Sequence, residues 1–375
     1  MKKGFNKIWL VAILMLTAFF GCQRRPLEVL YRTSVRVIVK CVWSIDAYPE
    51  GIKPTGVTMY FFRDGEFYNS LTTANVDSCE VQLEPGHYKL YMISQSPEEY
   101  WRMDFENMTS YDKAETVLVP SELSWARNTR AGDGEVVVEN PEVMCAGVSD
   151  EFDITYEQTE EYQYYYTNLM KLRAETKGTK AGTKAEEEAW YEERVEYYTI
   201  RIPVYPKNIV SQMWVTIYSG NADVLKSVRA TNSGMARVFE LTKDMTGSEE
   251  AIQIINQWTL TMDDPQRRVG HIDGLITTFG LPNGEQPSPQ RDSTLNVSAL
   301  LIDNATVADY KFPVGDKIQK LEPNFGYRNL YRLIFGSVEE PAIVPPDVPP
   351  AGGTSSGMDA TVSDWEDGET VEIPM

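Results

Sequence analysis

The chain has 375 residues, 42% of them hydrophobic, which is enough to build about two domains with real cores. Its formal net charge of −20 excludes a nucleic-acid partner, because binding a polyanion needs a basic face. The same charge keeps a protein soluble outside the cytoplasm.

The N-terminus reads as an address. Lys2, Lys3 and Lys7 form a positive start, and Ile8 to Phe20 is an apolar run shorter than a bilayer span. The run stops at Gly21-Cys22. A small residue directly before a cysteine at that point looks like a bacterial lipoprotein signal. Residues 1–21 are therefore expected to be removed, and Cys22 to carry the lipid; two or three acyl chains anchor stably where one does not. Residues 22–33 are a short polar tether. Cys41, Cys79 and Cys145 remain, an odd number, so at most one internal disulfide forms. Cys41 shares the apolar side of its segment, as a buried free thiol would. No cysteine pair has metal-ligand spacing, and neither a metal nor a cofactor is expected.

From residue 34 to 160 the chain predicts short strands with turn signals between them. In "SVRVIVKCVW", Val35, Val37, Val39, Cys41 and Trp43 alternate with Arg36 and Lys40. "VTMYFFRDG" is a second strand closed by an Asp64-Gly65 turn, with "EFYNSLT" as its hairpin partner. In "LEPGHYKLYMIS" a Pro85-Gly86 turn leads into Tyr88, Leu90 and Met92 on one side and His87, Lys89 and Tyr91 on the other. Tyr88, Leu90 and Met92 are expected to fill a core. "ETVLVP", "EVVVEN" and "DEFDITYE" continue the pattern, and no long stretch has a helical period. These strands suggest an antiparallel sandwich.

Residues 161–194 hold the repeat "GTKAGTKA" and an acidic run, and read as an exposed inter-domain loop whose flanks favour helix. A second sandwich is expected over 195–338, with "YYTIRIPVYPK", "SQMWVTIYSG", "AIQIINQWTLTM", "STLNVSALLID" and "NLYRLIFG" among its strands. The fold class is thus all-β, with two antiparallel β-sandwich domains in tandem. Residues 339–357, "EEPAIVPPDVPPAGGTSSG", read as a stiff, extended spacer. Residues 358–375 alternate Met358, Ala360 and Val362 with polar positions. That tail is either a strand able to pair with a sheet edge or a frayed acidic end.

The chain carries no motif of an enzyme. It has two histidines, His87 on the polar side of a strand and His271 in the loop-like segment "VGHIDG", both expected at the surface or half-buried. There is no GxSxG, HExxH, P-loop or dinucleotide loop. No catalytic residue is assigned, and the chain is read as a non-enzyme.

The start Cys22, Arg24, Arg25, Pro26, Leu27, Glu28, with "VRVIVKCVWSIDAYPEGIKPTGVTMYFFRDG" and "VQLEPGHYKLYMIS", resembles an uncharacterised family of Bacteroidetes lipoproteins, a domain of unknown function. The turn Leu83-x-Pro85-Gly86-x-Tyr88-x-Leu90 is similar to that of transthyretin-like and Cna-B-type sandwiches, which implies transthyretin-like or Ig-like domains. The stretch "VYPKNIVSQMWVTIYSGNADVLKSVRATNSGMARVFELTK" looks like the matching part of fimbrillin-associated anchor and tip subunits. The resemblance implies an outer-membrane, lipid-anchored accessory subunit of a fimbrium, or an adhesion protein, with fimbrial subunits as partners. Gln23, Arg24 and Arg25 stand where surface-exported relatives often carry acidic residues, so the side of the membrane stays open. An alternative reading is a glycan-binding lipoprotein of a polysaccharide-uptake system, with glycans as the partner held by exposed aromatics.

Overall fold

The computed structural model describes residues 33–44, 53–123, 136–175, 182–255, 257–288, 292–322 and 326–351. The leader, Cys22 and the 358–375 tail lie outside the described residues.

The fold is mostly β, with antiparallel sheets packed as open sandwiches. In the first sandwich, the strand Val35–Cys41 sits between Ser78–Leu83 and a parallel partner, Ile200–Val204. It faces a sheet in which Gly86–Ser94 and Val57–Arg63 are neighbours and Glu66–Thr73 is an edge. Val35, Val37, Val39, Phe61, Tyr88, Leu90 and Met92 meet in the core between the two sheets. Tyr88, Leu90 and Met92 are fully buried there, as the alternation predicts.

The turns follow local chemistry. Asp64 and Gly65 both have positive φ, the geometry of a two-residue hairpin turn. Gly86 does not. It is there for close approach: a Cβ at Gly86 would lie 2.7 Å from Arg63 Nε, and Arg63 in turn pairs with Glu84 at 2.9 Å.

The opposite side of the Gly86–Ser94 strand differs from the sequence expectation. Tyr91 and Ile93 are buried instead of solvated, because this sheet is covered on both faces. Tyr60, Phe62, Tyr91 and Ile93 join Met103, Leu118, Phe239, Leu241 and Phe279 in a second core. That explains why "VTMYFF" is apolar except for Thr58, whose buried hydroxyl donates to Gln95 O at 2.8 Å: a strand buried on both sides has no polar face to alternate with.

The third core lies between two five-stranded sheets of the second half. One has Ser211–Ser219 at its centre, antiparallel to Val269–Thr278 and parallel to Leu330–Phe335. The other has Leu225–Ala236 at its centre, between Thr294–Leu301 and Glu250–Ile255.

The two halves are interleaved. Glu115–Leu118 pairs with Val238–Glu240, and Val136–Val138 adds in parallel to Glu250–Ile255. Two segments of the sequence behave differently from a loop-and-spacer reading. Most of 161–194 is helical: α1, Tyr156–Glu175, and α2, Gly182–Tyr198, form a hairpin. Thr155 and Gln158 cap α1 reciprocally, the Gln158 side chain accepting from Thr155 N at 2.9 Å and Thr155 Oγ1 accepting from Gln158 N at 3.2 Å. Tyr162, Leu169 and Val195 bury the hairpin against the first core, and Arg173 of α1 pairs with Glu188 and Glu192 of α2.

The start of the Pro-rich stretch is likewise bound, not free. Ala342 N donates to Tyr218 O at 2.9 Å and Gly220 N to Ile343 O at 2.9 Å. Ile343 is buried in the third core. Asn221 Nδ2 donates to Pro345 O, Arg268 pairs with Asp347 at 2.8 Å, and Ala351 N donates to Ile302 O. This strap closes one end of the second sandwich.

Candidate functional site

His87 leaves the Pro85-Gly86 turn on the exposed face of its strand. Its Nδ1 lies 2.7 Å from Asp153 Oδ1 and its Nε2 3.3 Å from Glu151. The hydrogen bond to Asp153 raises its pKa above the ordinary histidine value, with Glu151 adding to the effect against the cost of desolvation. Both bonded partners are surface carboxylates, and among the described residues no serine, threonine or cysteine is a hydrogen-bond partner that would make the group a nucleophile and its base.

His271 is at a sheet position rather than in a loop, opposite Tyr218 on the outer face of the Ser211–Ser219 sheet. Its Nδ1 lies 2.7 Å from Asp263 and its Nε2 3.3 Å from Asp273. Asp273 also accepts from Thr216 Oγ1 at 2.6 Å. The two histidines sit on different sheets and do not converge.

Cys41, Cys79 and Cys145 are free and buried. Burial is the first cause of each shift: it pushes the Cys41 thiol up to about 12 and Cys79 to about 11, and raises Cys145 as well. A thiol that stays protonated is neither a nucleophile nor a metal ligand. Among the described residues, no group of histidine, cysteine and carboxylate side chains is arranged to hold a metal ion. Among them, too, no helix is long and apolar enough to cross a membrane.

What the structure adds is a surface that the sequence reading did not single out. The outer face of the Ser211–Ser219 sheet carries an open groove of about 800 Å³, lined by Trp214, Arg332, Leu275, Asp273, His271 and Tyr218, among others. The signal was present in "SQMWVTIYSG": Trp214 is out of phase with Met213, Val215 and Ile217, so a period of two puts it outside. A second groove, of about 610 Å³, lies where Asn208, Asp244, Phe279 and Arg328 meet, beside the second core.

A family model described as a domain of unknown function (DUF5119) matches residues 21–256. No curated protein matches the sequence significantly. Among solved structures, the chain is similar to a Bacteroides ovatus protein described as a "putative adhesin", at 15% identity and a TM-score of 0.50, over 88% of this chain and 99% of that one. It is also similar to the fimbrial anchor protein Mfa2 of Porphyromonas gingivalis, at 11% identity and a TM-score of 0.44, over 80% of this chain and 90% of that one. The tip fimbrial protein Mfa3 of the same organism aligns at 10% identity and a TM-score of 0.31, over 80% and 94% of the two chains.

Proposed function

The chain belongs to the DUF5119 family, and from that premise we propose that it is a membrane-anchored, non-catalytic accessory subunit, an anchor or tip, in fimbria assembly or cell adhesion. The observation that carries this reading is the sharing of one architecture with an adhesin-type fold over 88% of the chain. The leader supports it. Lipid on Cys22 would place the first strand, which starts at Val35, close to the bilayer. The intervening residues span on the order of 40 Å when fully extended.

The fold suits a load-bearing module. A chain held at Cys22 and pulled elsewhere loads its sheets along backbone ladders, and interleaved strands make those ladders long-range. Partner subunits would use the edges. Glu66–Thr73 and Val307–Pro313 are terminal strands of their sheets, with one row of backbone groups open to pairing.

Two measurements test the reading. Cys22→Ala should move the protein from the membrane fraction to the soluble fraction and abolish fatty-acid labelling. The wild-type chain, cross-linked in cells, should co-purify with fimbrial subunits. A Cys22→Ala protein that still sediments and labels overturns the anchor, and a wild-type chain that captures no fimbrial or adhesin subunit overturns the assembly role.

A further inference from the structure

We infer that the outer face of the Ser211–Ser219 sheet is a binding site for a neutral oligosaccharide. Ser211–Ser219 is the middle strand of five. Trp214, near its centre, is 54% exposed. Among the described residues no other aromatic ring or cation stacks on the indole. Its cross-strand neighbour Leu275 is 38% exposed, so the two make a contiguous apolar patch in the middle of the sheet rather than a lone exposed side chain.

The neighbours define what that partner is. Pairing puts Arg332 on one side of Trp214 and Leu275 on the other. The next row holds Thr216, Asp273 and Thr259, and beyond it lies His271. The groove is therefore an aromatic and aliphatic floor bordered by hydrogen-bonding groups, with a volume in the range of ligand sites. A sugar ring has matching chemistry. Its axial C–H face is weakly positive and lies on the electron-rich face of an indole, while its hydroxyls both donate and accept.

The polar groups are held in place before any ligand arrives. Asp273 is fixed by Thr216 at 2.6 Å and by His271 at 3.3 Å, and His271 is fixed in turn by Asp263 at 2.7 Å. A carboxylate has lone pairs for about four bonds, so Asp273 keeps capacity to accept from a hydroxyl. Arg332 makes no ion pair or hydrogen bond with the described residues and offers its donors to the groove. Pre-oriented groups lose little entropy on binding.

Charge selects the class. The groove carries both signs, Asp273 and Arg332, so neither an anion nor a cation is favoured along its whole length, and a ligand with no net charge fits. A protein partner fits less well, because interface centres are depleted of aspartate and here Asp273 stands one row from the tryptophan. This inference is independent of the anchor role, which is read by fractionation and not by sugar binding.

The test uses the full chain carrying Cys22→Ala, applied to an array of neutral plant and host oligosaccharides, with calorimetry on the best probe. At least one neutral oligosaccharide should bind and quench tryptophan fluorescence. Trp214→Ala should weaken binding on the order of tenfold or more, while the chain stays folded with a cooperative thermal transition because about half of the side chain is exposed. Trp214→Phe should retain part of the affinity, and Asp273→Asn should lower it several-fold. Failure of every neutral oligosaccharide to bind overturns the proposal. So does binding that survives Trp214→Ala, or binding confined to charged glycans. Loss of a protein partner or of self-association in Trp214→Ala, without sugar binding, would assign the face to a protein interface instead.

Discussion

Burial determines what individual side chains do in this protein. The three thiols are covered by the strands that carry them, and desolvation keeps them protonated. Ellman's reagent in mildly alkaline buffer should therefore detect none of Cys41, Cys79 and Cys145 in the folded chain and all three after denaturation. Rapid reaction of any one in the native state would contradict the packing. Core aromatics carry the larger energies. Phe61 is fully buried between the sheets, and Phe61→Ala should cost about 3–5 kcal/mol in denaturant unfolding. Tyr88 donates its hydroxyl to Glu84 O at 2.9 Å and stacks on Phe152 at 5.6 Å. Tyr88→Phe keeps the stacking and removes one hydrogen bond, so it should cost about 1 kcal/mol. A loss as large as that of Phe61→Ala would mean that the hydroxyl organises the turn.

At the scale of elements, the strap from Pro341 to Ala351 is one part whose stability depends on pH. The hydrogen bond from Arg268 holds the Asp347 carboxyl below the usual carboxylate range. A carboxyl with a lowered folded pKa stabilises above its unfolded value, and that stabilisation is lost as pH falls through the folded value. Hydrogen exchange should show the Ala342 and Gly220 amides, which donate to Tyr218 O and Ile343 O, protected at neutral pH. They should exchange faster in Asp347→Asn, and the wild type should approach the variant in acid. Exchange that ignores both changes would show that Ile343 burial alone holds the strap. The helical hairpin is a similar local unit: Thr155→Ala removes one half of its capping pair and should cost about 1 kcal/mol.

At the scale of the molecule, the two halves are expected to fold together. Val238 and Phe239 pair with Glu115–Leu118, and Ile252 pairs with Val137. Phe239 and Phe279 also share the second core with Tyr91 and Phe62 of the first half. A fragment of residues 195–351 would expose this surface and leave strand edges open. It should be insoluble or lack a cooperative thermal transition, whereas the full chain unfolds as one unit. A soluble, cooperatively melting fragment would show that the contacts across the halves are dispensable.

The sequence by itself determined the strands and the faces they bury. Val35, Val37 and Val39, Tyr88, Leu90 and Met92, and Met213, Val215 and Ile217 are all core residues that a period of two identifies. It determined the Asp64-Gly65 hairpin as well, because that turn needs only local backbone chemistry. Tertiary structure decided what no local pattern encodes. Tyr91 looked solvated until a second layer of strands covered it. The 161–194 stretch looked like a loop because its helices bury few side chains: Tyr162, Leu169 and Leu172 do share one helical face, but the glutamates, lysines and polar repeat of the stretch mask that spacing. The helix-favouring composition of its flanks and the capping pair Thr155 and Gln158 were the local signs. The spacer looked free because proline-rich chain makes no repeating pattern, yet backbone bonds to Tyr218 and Gly220 hold it. The groove around Trp214 exists only because three strands distant in sequence bring Arg332, Trp214 and Leu275 side by side. Local periodicity fixes which way a side chain points; only the pairing of distant strands fixes what it meets there.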